Sequence, residues 1–296
     1  MRRERRPDRR LSTASVVRCR KFTVDVAEHT AVMGIINITP DSFSDGGKFF
    51  SARRAISRAL AMQRDGADII DIGAESTRPG ALAVPAAEQL RRLEPVVAGL
   101  ANRLRVPISV DTTSAAVAER CLELGACIIN DITALREDTR LAGVIAKFDA
   151  AVVLMHMQGR PRTMQKRPSY KALLPEIKLF LQQAIRRARA AGISQDRIII
   201  DPGIGFGKTV AHNLEILDRL EELQGLRAPV LVGASRKSFI GAVLGVDVGE
   251  REFGTAASVA VAVRNGCRIV RVHDVAPMAQ VARLVDAINR QARGKS

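Results

Sequence analysis

The chain has 296 residues, 47% of them hydrophobic, enough for a large core. Aromatics make up only 3% and tryptophan is absent, so that core is built from Ile, Val, Leu and Ala, which suits a parallel sheet covered by helices. Lys plus Arg exceed Asp plus Glu by 46 to 31, a net charge of +15; the missing aromatic platform argues against a nucleic-acid binder, and no apolar run reaches transmembrane length.

Part of the charge is local. Arg2, Arg3, Arg5, Arg6, Arg9 and Arg10 crowd the start, so residues 1–15 read as a basic flexible tail. This start lacks the apolar core of a secretory signal, and Glu4 and Asp8 argue against a transit peptide. Val16–Ala27 carries two short alternating runs, the pattern of a β-hairpin. From Ala31 a rhythm begins. Apolar runs fall at Val32–Ile36, Ala67–Ile72, Val106–Val110, Cys127–Ile129, Ala150–Met155, Arg197–Ile200, Pro229–Val232 and Arg268–Val272, with amphipathic stretches between them. Leu173 to Ala188 keeps helical spacing, as do Leu214, Leu217, Leu220 and Leu223. Gly66, Gly125, Gly192 and Gly266 each stand between a helical stretch and the next strand, as helix-ending glycines do. Strand and helix alternate about eight times, which predicts an α/β fold, a TIM (β/α)8 barrel with a short N-terminal β-hairpin, as one domain over residues 16–295. A doubly wound open sheet is the alternative. Cys19, Cys121, Cys127 and Cys267 form no C-x-x-C pair and no zinc spacing, and read as buried free thiols in a reducing cytoplasm.

The stretch RIIIDPGIGFGK, Arg197–Lys208, is a strand closed by an acid and a glycine-rich loop. It is not a Walker loop, because Pro202 takes the first glycine position, and it lacks the last glycine of the dinucleotide fingerprint. In a barrel the active face is the one where strands end. Reading off those ends gives Asn37, Asp71, Asp111, Asn130 with Asp131, Met155 with His156, Asp201, then Ser235, Arg236 and Lys237, and finally Arg271 and His273. For Asp71 and Asp131 a turn-capping role is equally consistent. Asp111 and Asp201 follow largely apolar runs and would be buried with partners. Asp111, Asn130 and Asp201 suit a flat heterocycle with ring N–H and amino groups. Lys237, Arg271 and His273 suit a phosphate or diphosphate, and backbone N–H groups at a helix-like start near Ser235 suit a second anion. His156 reads as structural. No nucleophile constellation is present, and the residues alone do not give the reaction.

At these positions the sequence resembles the dihydropteroate synthase family, from about Ala31 onward. The resemblance is carried by VMGIINITPDSFSDGG (Val32–Gly47), DIGAESTRPG (Asp71–Gly80), ISVDTT (Ile108–Thr113), IINDI (Ile128–Ile132), LMHMQGRPRTMQ (Leu154–Gln165), DPGIGFGK (Asp201–Lys208), GASRKSFIG (Gly233–Gly241) and RVHDV (Arg271–Val275). It implies a barrel that joins a dihydropterin methyl diphosphate to 4-aminobenzoate, releasing diphosphate. By the same resemblance, Asp111, Asn130, Asp201 and Lys237 would hold the pterin, with Arg271 packed over the ring, and Met155 and Phe206 would also bind substrate. Arg271 and His273 would bind the diphosphate, Asn37 would ligate Mg²⁺, and Ser235 would receive the 4-aminobenzoate carboxylate. Asp111, Asp201, Lys237 and Arg271 would carry catalysis, and Thr77 and Arg78 would belong to one of two mobile loops, the other being Ser42–Gly47. The family pattern also implies a homodimer and sulfonamide sensitivity. The departure at Thr112-Thr113-Ser114, where the family often has Thr-Ser and a basic residue, touches none of these ligands. A pterin-binding methyltransferase would share the acids but needs no diphosphate clamp, and a pterin-binding protein without turnover would share the fold.

Overall fold

The computed structural model describes residues 15–38, 48–75 and 84–293. All but the last residue of the expected basic tail (1–15), and the two expected mobile loops, Ser42–Gly47 and Thr77–Gly80, lie outside these residues. The first two strands, β1 (Val16–Cys19) and β2 (Phe22–Asp25), form the expected antiparallel hairpin. Eight parallel strands follow: β3 (Ala31–Asn37), β4 (Ile69–Gly73), β5 (Ile108–Asp111), β6 (Ile128–Asp131), β7 (Ala151–Met155), β8 (Ile198–Asp201), β9 (Leu231–Val232) and β10 (Ile269–Val272). They lie in the order β8-β7-β6-β5-β4-β3-β10-β9. A parallel bridge between Ile200 and Val230, with the Ile200 N–H donating to Pro229 O at 3.0 Å, joins the two ends into a barrel. The helices between and after the strands are α1 (Lys48–Arg64), α2 (Ala86–Leu100), α3 (Ala115–Glu123), α4 (Leu141–Lys147), α5 (Leu173–Ala190), α6 (Val210–Asp218), α7 (Ser238–Leu244), α8 (Glu252–Arg264) and α9 (Val275–Arg293).

Alternation along the strands divides the core in two. Outward side chains such as Ile70, Ile72, Val110, Ile129, Val152, Leu154, Ile200 and Val270 pack under the helices. Inward ones, among them Met33, Ile69, Ile128, Val153, Ile199, Leu231 and Ile269, fill the barrel floor. Val17, Cys19, Val24 and Val26 of the hairpin join that inner cluster and close the barrel at the strands' N-terminal end. Gly66, Gly125, Gly192 and Gly266 all take positive φ, between +94° and +114°, as their place after a helix requires. Among the described residues no helix is long and apolar enough to cross a membrane.

One expected helix is interrupted. The Leu214–Leu223 spacing suggests a single helix, but α6 stops at Asp218 and a 3₁₀ stretch, Leu220–Leu226, follows. The Asn265 side-chain amide donates to Leu217 O (2.8 Å) and Asp218 O (3.0 Å), taking carbonyls that a continuing helix would use. Leu214 is left 45% exposed, while Leu217, Leu220 and Leu223 are buried.

The entry of β3 is fixed from the far end of the chain. Asp286 on α9 is buried and accepts bonds from the Thr30 N–H (2.7 Å) and hydroxyl (2.9 Å). Asp286→Ala strands both donors in a buried site, so urea titration is expected to show a loss of about 2 kcal/mol.

Candidate active site

Counting by twos from the floor residues gives the inward positions at the strands' C-terminal ends: Asn37, Asp71, Asp111, Asn130, Met155, Asp201 and Arg271. The expected residues therefore converge, and Asp71 joins them from mid-strand. Asp131 has the opposite parity. Its carboxylate accepts from Thr133 N–H (2.8 Å), Thr133 hydroxyl (2.7 Å) and Leu135 N–H (2.6 Å), so it caps the turn after β6.

Arg271 is shared by two carboxylates. Its Nε donates to Asp71 Oδ2 at 2.6 Å, and its Nη2 donates to Asp111 Oδ2 at 3.0 Å. The Asn130 amide also donates to Asp71 Oδ2, at 3.2 Å. Asp71 is completely buried, and its Oδ1, like the Ser109 hydroxyl on the neighbouring strand, has no protein partner among the described residues. Burial pushes the Asp111 carboxyl above its ordinary value, against the pull of Arg271, and nearby Asp71 adds to the rise. Burial works against the Arg271 charge as well, but Asp71 and Asp111 outweigh it and the guanidinium holds its proton more tightly than usual. The cluster is thus an anion-rich interior held by one cation, with a strong demand for further donors.

Asp201 faces it from β8. Its Oδ1 accepts the Gly203 N–H at 2.6 Å, and burial raises its pKa to about 6 while that bond, Lys237, Lys208 and Arg271 oppose the rise. Gly203 has φ +71°, and a Cβ there would collide with the His156 carbonyl, so only glycine fits this turn. Lys237 Nζ lies 4.2 Å from the Phe206 ring centroid. Phe206, Met155, Ile132, Met157 and Met164 pack into an apolar cluster on this side. The last three were not among the expected site residues; their scattered places in loops give no periodic signal. The sequence reading also passed over Lys208, which is buried with its ammonium donating to Phe206 O (2.9 Å) and to the His156 ring nitrogen (3.0 Å). Burial pushes Lys208 down to about 7 and His156 down to about 2, so His156 holds its place as a neutral ring bonded to Lys208.

At the rim, Ser235 Oγ accepts the His273 N–H (3.2 Å) and bonds His273 Nδ1 (3.0 Å). Ser235 does not begin a helix: α7 starts at Ser238, with Lys237 as its N-cap. Arg236 turns away and pairs with Asp274 at 2.7 Å, pinning this turn to the segment after β10. Burial, then Arg271 and Arg236, lower the His273 pKa to about 4. This favours the neutral ring at neutral pH when no anion is bound beside it. Asn37 stands beside Gly73, where an added Cβ would lie 3.6 Å from Asn37 Oδ1. Thr77 and Arg78 lie outside the described residues. All four cysteines are buried free thiols; burial raises Cys19, Cys121 and Cys267 to about 12, so they are inert. A hollow of about 400 Å³ opens at the opposite end, between Arg20, Phe148 and Arg197, but it gathers no comparable set of acids and cations.

The model of the pterin binding enzyme family matches residues 33–273. The dihydropteroate synthase of Synechocystis sp. is 46% identical over 267 residues, 90% of this chain and 92% of that protein. Among solved structures, Yersinia pestis dihydropteroate synthase in a sulfonamide drug complex superposes with a TM-score of 0.88 at 44% identity, over 93% of this chain and 99% of that one. Xanthomonas albilineans dihydropteroate synthase with 4-aminobenzoic acid gives a TM-score of 0.87 at 40% identity, over 94% and 99%.

The state of His273 is testable. An unfolded histidine takes its proton near 6.5 and the folded one only near 4, so His273 stabilises the fold above about 6.5 and loses that contribution as pH falls toward 4. Urea unfolding of the unliganded protein is expected to show the stability advantage over His273→Gln shrinking across that window. A gap constant from pH 7 to 4 would contradict the neutral assignment.

Proposed function

We propose that this chain, which belongs to the pterin-binding enzyme family, is a dihydropteroate synthase. It joins (7,8-dihydropterin-6-yl)methyl diphosphate to 4-aminobenzoate, giving 7,8-dihydropteroate and diphosphate. The observation that carries the reading is the gathering of opposite charges around one interior: the buried carboxylates of Asp71, Asp111 and Asp201, with Arg271 bridging the first two and Lys237 close to the third.

In this reading Asp111, Asn130 and Asp201 take the ring N–H and amino donors of the pterin, which answers the interior's surplus of acceptors. Met155 and Phe206 flank the ring and Lys237 closes over it. The ring displaces Arg271 Nη2 from Asp111, and the freed edge of the guanidinium turns to the diphosphate with a His273 N–H. The C–O bond to the methylene breaks and diphosphate leaves with the electron pair. The methylene cation that remains is stabilised by the charges of Asp111 and Asp201. The arylamine nitrogen attacks and then gives up a proton, so no protein nucleophile is required. Ser235 turns its hydroxyl from His273 to the incoming carboxylate. Thr77 and Arg78, with the loop Ser42–Gly47, would shut out the water that could otherwise capture the cation.

Asn37 is the residue that would hold Mg²⁺. No group of three or more His, Cys, Asp or Glu among the described residues could cage a metal. Magnesium needs no such cage where phosphate and water complete its shell, so a single carboxamide at the rim fits it. When bound, the ion would help neutralise the diphosphate. A homodimer is supported by the exposed apolar side chains on three successive helices, Val243 and Leu244 of α7, Phe253 and Val261 of α8, and Leu284 and Ile288 of α9. The buried reduced thiols suit a cytoplasmic enzyme acting as one unit over residues 16–295.

The decisive assay is diphosphate release from the pterin diphosphate with and without 4-aminobenzoate. Asp201→Asn and Lys237→Ala are each expected to lower kcat/KM for the pterin substrate about 100-fold. Asn37→Ala is expected to raise the Mg²⁺ concentration needed for half-maximal rate. Wild-type kinetics in all three would defeat the assignment. Sulfonamides should compete with 4-aminobenzoate, and turnover unaffected by high sulfonamide would argue against the proposed aminobenzoate subsite.

A further inference from the structure

Asp71 lies beneath the residues assigned to substrate, and its geometry gives it a separate task. In the strand register Arg271 is level with Met33, and Met33 with Ile69. Strands in a closed barrel are staggered, so across the two steps from β10 to β4 the inward residue facing Arg271 is Asp71, two past Ile69. Asp111 lies nearer the strand ends, opposite Gly73. Arg271 Nε donates to Asp71 Oδ2 at 2.6 Å, Nη2 also lies 2.6 Å from that oxygen, and Nη2 reaches on to Asp111 Oδ2 at 3.0 Å. Gly73 keeps the space above Asp71 open, since a Cβ there would approach the Asp111 Cβ to 3.4 Å.

The two carboxylates are not equivalent. Asp71 is fully buried, whereas the Asp111 side chain is 12% exposed and faces the rim. A ligand entering from the strand ends meets Asp111 before Asp71. We infer that Asp71 is a positioning residue: it grips Arg271 midway along its side chain as a fixed pivot, while Asp111 is the exchangeable partner that substrate displaces. A planar guanidinium held by Asp71 at Nε and Nη2 keeps its orientation when Asp111 is displaced, so its outer edge meets the diphosphate already aligned. The inference rests on the synthase reading above and assigns Asp71 a role that acts through Arg271, without contact to substrate.

The test is a double-mutant cycle in the diphosphate-release assay with Asp71→Asn, Arg271→Met and the double variant. Asparagine keeps an oxygen that can accept from the Asn130 amide, so the substitution removes the charge on Arg271 and little else. Expected are a loss of about 30-fold or more in kcat/KM for the pterin diphosphate in Asp71→Asn, with a raised KM for that substrate and an unchanged KM for 4-aminobenzoate. Between Arg271→Met and the double variant the difference should stay under about 3-fold. Equal losses in both backgrounds, or both KM values moving together, would mark Asp71 as merely structural and overturn the inference, as would near-wild-type kinetics in Asp71→Asn. If Asp71→Asn alone does not fold, Arg271→Met against the double variant still decides, the double variant carrying one fewer unpaired buried charge. Absence of diphosphate release by the wild type would instead overturn the synthase reading.

Discussion

Everything in this barrel follows from the direction in which alternate side chains point. In a closed parallel barrel one set of residues meets the helices and the other meets itself around the axis. Neither set faces water for most of its length, so both must be apolar until the strands end. Met33, Ile69, Ile128, Val153, Ile199 and Ile269 obey this on the inside. One step higher the same set turns polar, with Asp71, Asp111, Asn130, Asp201 and Arg271, and that change of character places the chemistry.

A carboxylate in such a place is costly without a donor. Arg271 answers Asp71 and Asp111 together, and Asp201 is answered by a backbone N–H and by lysines that lie close by. The balance is incomplete: Asp71 Oδ1 and the Ser109 hydroxyl have no partner among the described residues, and burial keeps the Asp111 and Asp201 carboxyls above their ordinary range. An interior left short of donors is primed for a ring that carries them. His273 fits the same economy, because burial first, and then Arg271 and Arg236, disfavour its proton while no anion is beside it.

Much of this was legible before any coordinates. Strands buried on both faces write themselves as continuous Ile/Val runs, and Gly66, Gly125, Gly192 and Gly266 mark the helix ends, so the barrel could be read directly. The converging ends named most of the candidate site. Asp71 and Asp131 were harder, because each acid follows an apolar run and either could cap a turn. Parity separates them: Asp71 stands two residues after the inward Ile69, while Asp131 stands three after the inward Ile128. What no local pattern carries is the stagger between strands. That stagger brings Arg271, paired through Met33 with Ile69, beside Asp71 two residues further on. The neutral His273 and the interruption of α6 by Asn265 likewise depend on neighbours far away in the chain.

The hairpin of β1 and β2 has a consequence for traffic. With Val17, Cys19, Val24 and Val26 stoppering the far mouth, the interior is a blind well. Molecules that share a blind well form a queue: the one that settles lowest arrives first and departs last, and anything beneath a later arrival waits for it to go. An order of arrival and departure is thereby imposed by shape, before any affinity is considered.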